Sequence, residues 1–183
     1  NNGVLHASIL NVKSGEKSDL TIAGIESNLT DQFTVDDEVQ EVESKYGSKL
    51  IGIDLGTTYS AISYIDEHGI PKIINNSEGQ NITPSCIWIK GNKKYEVGEE
   101  ARKELGANDN VIARFKRDMG TKEKYSVNGE NLTPTDCSAL VLKKLFKDAQ
   151  KEVGDIGETV VTIPANFTNE AREATLEAAK SAG

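Results

Sequence analysis

Cysteine and histidine are scarce, with two of each, and aromatic side chains make up only 5% of the 183 residues. Cys86 and Cys137 stand far apart, with no CxxC pair and no histidine cluster near them. That argues against a zinc site or a disulfide framework and leaves two buried free thiols, the usual state in a reducing compartment. His6 and His68 fall in strand-like or turn-like contexts and suggest neither a ligand nor a catalytic pair. No apolar run approaches the ~18–20 residues of a membrane span, so a membrane role is not expected. No charged segment followed by an apolar one opens the chain, so no secretory signal is visible. The chain starts Asn-Asn-Gly without a methionine and reads as an excerpt or processed piece. Four Asn-x-Thr sequons (Asn28, Asn81, Asn131, Asn166) would matter only in a secreted chain. Also absent is a basic stripe, which counts against gripping nucleic-acid phosphates.

The charge that is present is acidic and uneven. The net charge is −8, and residues 26–47 hold seven acids against the single base Lys45, or −6 in that stretch alone. Residues 48–183 are close to neutral. Counting glycine, the apolar share lies in the ordinary globular range, so disorder over the whole length is not expected.

Along the chain, residues 3–12 and 19–23 read as two strands around a Lys13–Glu16 turn, a β-hairpin pattern. Residues 26–48 read as an acidic linker, with Val35, Val39 and Val42 spaced like one weak helical face. The texture changes at Leu50. Strands are expected over 50–54, 59–65 and 70–75, joined by tight turns into an antiparallel meander. Residues 76–132 are mixed, with a strand over 85–90 and helical pieces near 97–106 and 109–119. Thr133-Pro134-Thr-Asp136 announces a helix, with a Thr cap, Pro in the first turn and an acid three residues on. Its apolar face should comprise Ala139, Leu142, Leu145 or Phe146, Ala149 and Val153. A strand over 159–163 stops at Pro164, and Thr168 caps a last helix over 169–182. From residue 49 the order is β-β-β, an insertion, then α-β-α.

One motif carries chemistry: Gly52-Ile-Asp54-Leu-Gly56-Thr57-Thr58-Tyr59-Ser60. An apolar strand ending in Asp places a carboxylate at the mouth of a sheet. Gly56 lets the backbone turn sharply and approach a ligand closely. The threonines then offer N–H groups and hydroxyls to anionic oxygens, a concavity suited to phosphate. The carboxylate would repel phosphate by itself and makes sense through a divalent cation or its bound water. Neither GxxxxGK[ST] nor GxGxxG occurs. Taken alone, the motif fits a hairpin turn with a capping Asp about as well as a phosphate loop.

This loop resembles the first phosphate loop of the 70-kDa heat-shock chaperones, the DnaK-type family, and further matches follow in order. Asn81-Ile-Thr-Pro-Ser85 is similar to the family's TPS segment, and Phe115-Lys-Arg-Asp-Met-Gly120 to its lysine-bearing KRxxG segment. Val160-Val-Thr-Ile-Pro-Ala-Asn-Phe167 is similar to its V-x-T-V-P-A-Y-F segment, and Asn169-Glu-Ala-Arg172-Glu-Ala-Thr175 to the helix after it. Asn166 departs from the family's Tyr, and Gln80-Asn81 lacks the basic residue common before TPS. The resemblance implies an α/β fold, the incomplete first lobe of an actin-like (ribonuclease H-like βββαβα) ATPase over 49–183, preceded by a short β-hairpin. It implies ATP or ADP with Mg²⁺ as cofactors. Asp54 would contact the ion through water; Gly56, Thr57, Thr58 and Tyr59 would hold phosphates; Lys116 would orient the attacking water, supported by Arg117. Pro164 and Arg172 would belong to an interdomain relay. The partners implied are unfolded peptide clients, a J-domain co-chaperone and a nucleotide exchange factor, in the cytoplasm. A nucleotide-gated interaction protein of the same fold is the alternative.

Residues 1–25 are similar to the last strands of that family's peptide-binding β-sandwich, through Gly3-Val-Leu-His-Ala-Ser8, Ser14-Gly-Glu-Lys17 and Leu20-Thr-Ile22. The order of parts would then be reversed, the end of one unit leading into the start of another. An exposed strand edge is expected in the hairpin. Half of the ATP contacts are expected to lie outside residues 49–183, so the 183-residue chain should bind nucleotide weakly or not at all and hydrolyse none.

Overall fold

The computed structural model describes residues 4–11, 17–23 and 49–183. The acidic stretch 26–48 and the Lys13–Glu16 turn lie outside them. The elements in chain order are β1 (Val4–Asn11), β2 (Lys17–Ala23), β3 (Lys49–Asp54), β4 (Tyr59–Ile65), β5 (Pro71–Ile73), β6 (Thr83–Pro84), β7 (Cys86–Gly91), β8 (Lys94–Val97) and α1 (Glu99–Lys103). There follow β9 (Val111–Ala113), a 3-10 helix (Phe115–Asp118), β10 (Tyr125–Val127), β11 (Glu130–Leu132), α2 (Pro134–Val153), β12 (Ile156–Pro164) and α3 (Asn169–Ala182).

The main sheet runs β2-β1-β12-β3-β4-β5, with β6 paired on β4. β3, β4 and β5 form the expected antiparallel meander, although β5 is shorter than the sequence suggests. β12 joins β3 in parallel, with Ile51 opposite Thr159 and Asp54 opposite Thr162. Two strands separated by so much chain therefore end side by side. The hairpin of β1 and β2 is antiparallel as expected, and β1 also pairs antiparallel with β12, Ala7 opposite Pro164. Hence, among the described residues, β1 is not the open edge of the hairpin; β2 is. A small sheet, β8-β7-β9, and the β10-β11 hairpin lie in the insertion.

Alternation along the central strands decides where the core sits. Ile51, Ile53, Ile62 and Val161 are buried in one cluster with Val141, Leu142, Leu145 and Ala149 of α2 and Ala178 and Ala179 of α3. α2 begins in a full capping box: the Thr133 hydroxyl accepts from the Asp136 N–H, and the Asp136 carboxylate accepts from the Thr133 N–H. Such a cap contributes about 1 kcal/mol. Its buried stripe is Cys137, Val141, Leu142, Leu145 and Ala149. That is rotated from the expected one, because Ala139 and Val153 are only partly buried against the core. α3 offers Ala171, Ala174, Thr175, Ala178 and Ala179 as its buried side, small residues that let two helices approach closely.

One helical expectation holds only in part, as the short 3-10 helix Phe115–Asp118. Residues 109–119 contain no α-helix. Val111–Ala113 is a strand paired with β7, Ile112 opposite Ile87, Arg114 then takes a left-handed conformation (φ 60°), and the 3-10 helix follows. The β-branched pair Val111-Ile112 gains more from burying Ile112 against the small sheet than from a helix. Near 97–106 the expected helix is present as the shorter α1.

Candidate functional site

The expected site residues divide into a cluster and a nearby loop. β3 ends in Asp54, whose exposed carboxylate accepts a 3.2 Å hydrogen bond from Thr162 Oγ1 on the neighbouring strand. Leu55 turns into the core, and the chain then folds back on itself at Gly56. A Cβ at this position would overlap the Tyr59 carbonyl oxygen, so only glycine fits the close approach. Thr57 is half-buried, while Thr58 and Tyr59 are exposed at the rim. The Arg102 guanidinium lies over the Tyr59 ring, 4.8 Å from its centre. Among the described residues no hydrogen bond engages the side chain of Thr57 or Thr58.

Lys116 reaches the same place from the 3-10 helix, although it stands 61 positions from Leu55 in the sequence. It is buried (6% exposed). Its ammonium donates to the Leu55 carbonyl, directly before the turn, and lies 5.5 Å from the centre of the Phe167 ring. Burial lowers its pKa from the ordinary lysine value, and the charge of Asp54 acts in the opposite direction. The ammonium thus meets a carbonyl and feels the charge of a carboxylate at the mouth of the sheet. Arg117, on the next position, is exposed, and no hydrogen bond or ion pair among the described residues holds its side chain.

The 3-10 helix is fixed by its flanks. Tyr125 donates to Asp118 Oδ2 at 2.7 Å, and burial together with that carboxylate raises the phenol's pKa. Met119 packs with Ala171 and Ala174, with Phe167 partly buried against them, and accepts a 3.2 Å contact from the Ser138 hydroxyl. Gly120, at φ 78°, lies so close to α3 that a Cβ would stand 2.5 Å from the Ala171 nitrogen. Lys116 is thereby tied to the start of α3.

Among the described residues no hydrogen bond joins Pro164 or Arg172 to the turn at Gly56. They frame the loop between β12 and α3. The Phe167 N–H donates to the Pro164 carbonyl at 3.1 Å, and Arg172 donates to the carbonyls of Phe167 (3.1 Å) and Ala165 (3.0 Å). The link to the cluster is Phe167, held by Arg172 through its carbonyl and packed near the Lys116 ammonium through its ring. Phe167 and Thr162 were given no role by the motif reading, though both lie inside the Val160–Phe167 match; only their contacts across the sheet reveal them.

Asp54 and Pro164 end the two adjacent parallel strands, so the cluster sits outside their carboxyl ends, where open α/β sheets bind ligands. A family model described as Hsp70 protein matches residues 50–127 and 121–183. The chain belongs to the Hsp70 family. Membership makes it part of a chaperone family, and the matched residues include every member of the cluster just described. Among the described residues no helix is long and apolar enough to cross a membrane.

Proposed function

We propose that residues 49–183 are the first lobe of an actin-like, ribonuclease H-like ATPase in an Hsp70 chaperone that couples ATP hydrolysis to binding and release of unfolded polypeptide. The observation that carries this reading is the convergence of the Asp54 carboxylate, the Gly56 turn and the buried Lys116 ammonium at the carboxyl ends of β3 and β12. In phosphoryl transfer the protein's task is mostly positioning and charge neutralisation, and these three supply both.

The donor set suits magnesium in a particular way. Among the described residues no group of three or more His, Cys, Asp or Glu could hold a metal, so a caged ion does not fit. A hydrated Mg²⁺ arriving with nucleotide phosphates needs only one or two carboxylates. Asp54, braced by Thr162, would hold a water of its shell. When bound, the ion would neutralise phosphate charge. Thr57 and Thr58 would offer hydroxyls and N–H groups to phosphate oxygens, with Tyr59 at the rim. Lys116 gives one of its three N–H donors to Leu55 and keeps two for a terminal phosphate or the attacking water, with Arg117 adding positive charge. The Pro164–Arg172 loop would relay nucleotide state outward, since Phe167 meets both Arg172 and Lys116.

In this reading residues 1–25 are the closing strands of a peptide-binding β-sandwich and 26–48 an acidic linker. Peptide clients, a J-domain co-chaperone and a nucleotide exchange factor are the partners, in the cytoplasm. The test is amide chemical-shift perturbation of the 183-residue chain with millimolar Mg·ATP. Shifts at Thr57 and Thr58, lost in Asp54→Ala, are expected, with no phosphate release; no shift at either residue would reject the reading. Nucleotide binding without hydrolysis by the full-length parent would favour the nucleotide-gated interaction protein.

A further inference from the structure

Two buried serines that the phosphate-site reading leaves without a role meet at Gly56. Ser60 lies on β4 and Ser85 between β6 and β7, and each is at most 2% exposed. The Gly56 N–H donates to Ser60 Oγ at 3.1 Å. Ser85 Oγ donates to the Gly56 carbonyl at 2.8 Å. The two hydroxyls are 2.9 Å apart. The direction of every proton follows. A carbonyl can only accept, so the single Ser85 proton is committed to Gly56, and the hydroxyl–hydroxyl bond must be donated by Ser60. The result is a closed ring: Gly56 N–H to Ser60, Ser60 to Ser85, Ser85 back to the Gly56 carbonyl. A further bond, from the Ser85 N–H to the Thr58 carbonyl at 2.9 Å, fixes the far side of the turn to the same residue.

We propose that Ser60 and Ser85 are positioning residues of the phosphate loop, which hold both main-chain groups of Gly56 and so aim the neighbouring threonines at the ligand. Gly56 then serves as the anchored pivot of the turn, its own N–H spent inside the protein rather than on phosphate. The ring has one orientation of protons, and removing either hydroxyl breaks it for both. The buried main-chain group left behind loses its partner, which opens the turn more easily. β6 acquires a purpose as well. Its pairing of Tyr59 with Pro84 and Ser60 with Thr83 delivers Ser85 to the turn from a distant part of the chain. The role in ligand binding rests on the nucleotide reading; the ring's action as a unit does not.

The experiment is amide hydrogen exchange, residue by residue, on the 183-residue chain and its Ser60→Ala, Ser85→Ala and double variants. Each single variant should speed exchange at Gly56 by about ten-fold, and the double variant should add little to either, because a closed ring is lost once. Exchange at Leu142 in the core should not change. If Ser85→Ala leaves Gly56 at the wild-type rate, or if core amides accelerate equally, the proposal is overturned. A second arm adds Mg·ATP. Wild type should show slowed exchange at Thr57 and both single variants should lose it; retained slowing in both variants overturns the positioning role. If wild type shows no slowing, the nucleotide reading fails, and the exchange arm alone decides whether the serines hold the turn.

Discussion

The two faces of the central sheet are built from the same strands and share almost nothing else. On β3, Ile51 and Ile53 are buried under α2 and α3, while Leu50 and Asp54 on the alternate positions are exposed. On β4 and β12, Ile62 and Val161 are buried, whereas Ser63 and Val160 are half-buried and Thr162 is exposed. Among the described residues no helix covers this second face. A period of two in the sequence is thus a division of labour. One face buries branched aliphatics and makes the fold stable. The other carries Gly52, Asp54, Ser63 and Thr162, small or polar groups that can approach a ligand or one another. The 3.2 Å bond from Ser63 Oγ to the Gly52 carbonyl is one such approach.

The sharpest way to break this comparison is truncation on both faces. Leu142→Ala, which empties the covered side, should cost about 2–5 kcal/mol in urea unfolding. Leu50→Ala, 40% exposed in the wild type, should cost less than about 1 kcal/mol. Equal costs would mean that the open face is covered after all.

Thiol chemistry sharpens the same contrast at a somewhat smaller scale. Cys86 and Cys137 are both buried, and burial pushes their thiols up to about 11 and about 12. A cysteine placed on the open face by Leu50→Cys should keep the ordinary value near ~8.5 and alkylate roughly 10²-fold faster at mild pH. Native thiols that react as fast as the new one would show that the covered side is not sealed.

The smallest effect concerns Lys116, which belongs to the site yet is buried like the core. Its folded pKa lies below the ordinary 10.5. In the window just under 10.5 the unfolded chain therefore binds more protons than the folded one. Stability should rise with pH through that window as the cost of burying the ammonium disappears. Lys116→Met should flatten this rise relative to wild type in urea unfolding measured across that range. Identical slopes would place the ammonium in solvent.

Much of this was legible in the residues, for reasons that are themselves local. The meander is written in turns and alternation, and the start of α2 in Thr133, Pro134 and Asp136. The turn at Gly56 is a contiguous motif. Lys116 is different: its connection to the turn spans the insertion, and it was found through family resemblance rather than spacing. What escaped was decided by non-local pairing. Val111–Ala113 is a strand because β7 is there to receive it. β6, β8 and the β10-β11 hairpin are too short and polar to announce themselves. Ser60 and Ser85 sit in plain view inside two quoted motifs, but only β6 lying against β4 brings their hydroxyls together. The burial stripe of α2 was displaced because two layers compete for that helix: the main sheet and the small sheet, whose Ile87, Ile89 and Ile112 share its core.

The parallel pairing of β3 with β12 also sets a schedule. Asp54 and Thr162 stand 108 residues apart in the sequence, so on a ribosome adding roughly 5–20 residues per second the meander waits on the order of 5–20 s for its partner strand. Throughout that interval one side of β3 is an unpaired ladder, open to any strand that meets it. β12, emerging long after β3, supplies that side's partner and brings Thr162 to Asp54. Synthesis that pauses in the insertion would leave the chain with the turn at Gly56 made and β3 still lacking its parallel partner.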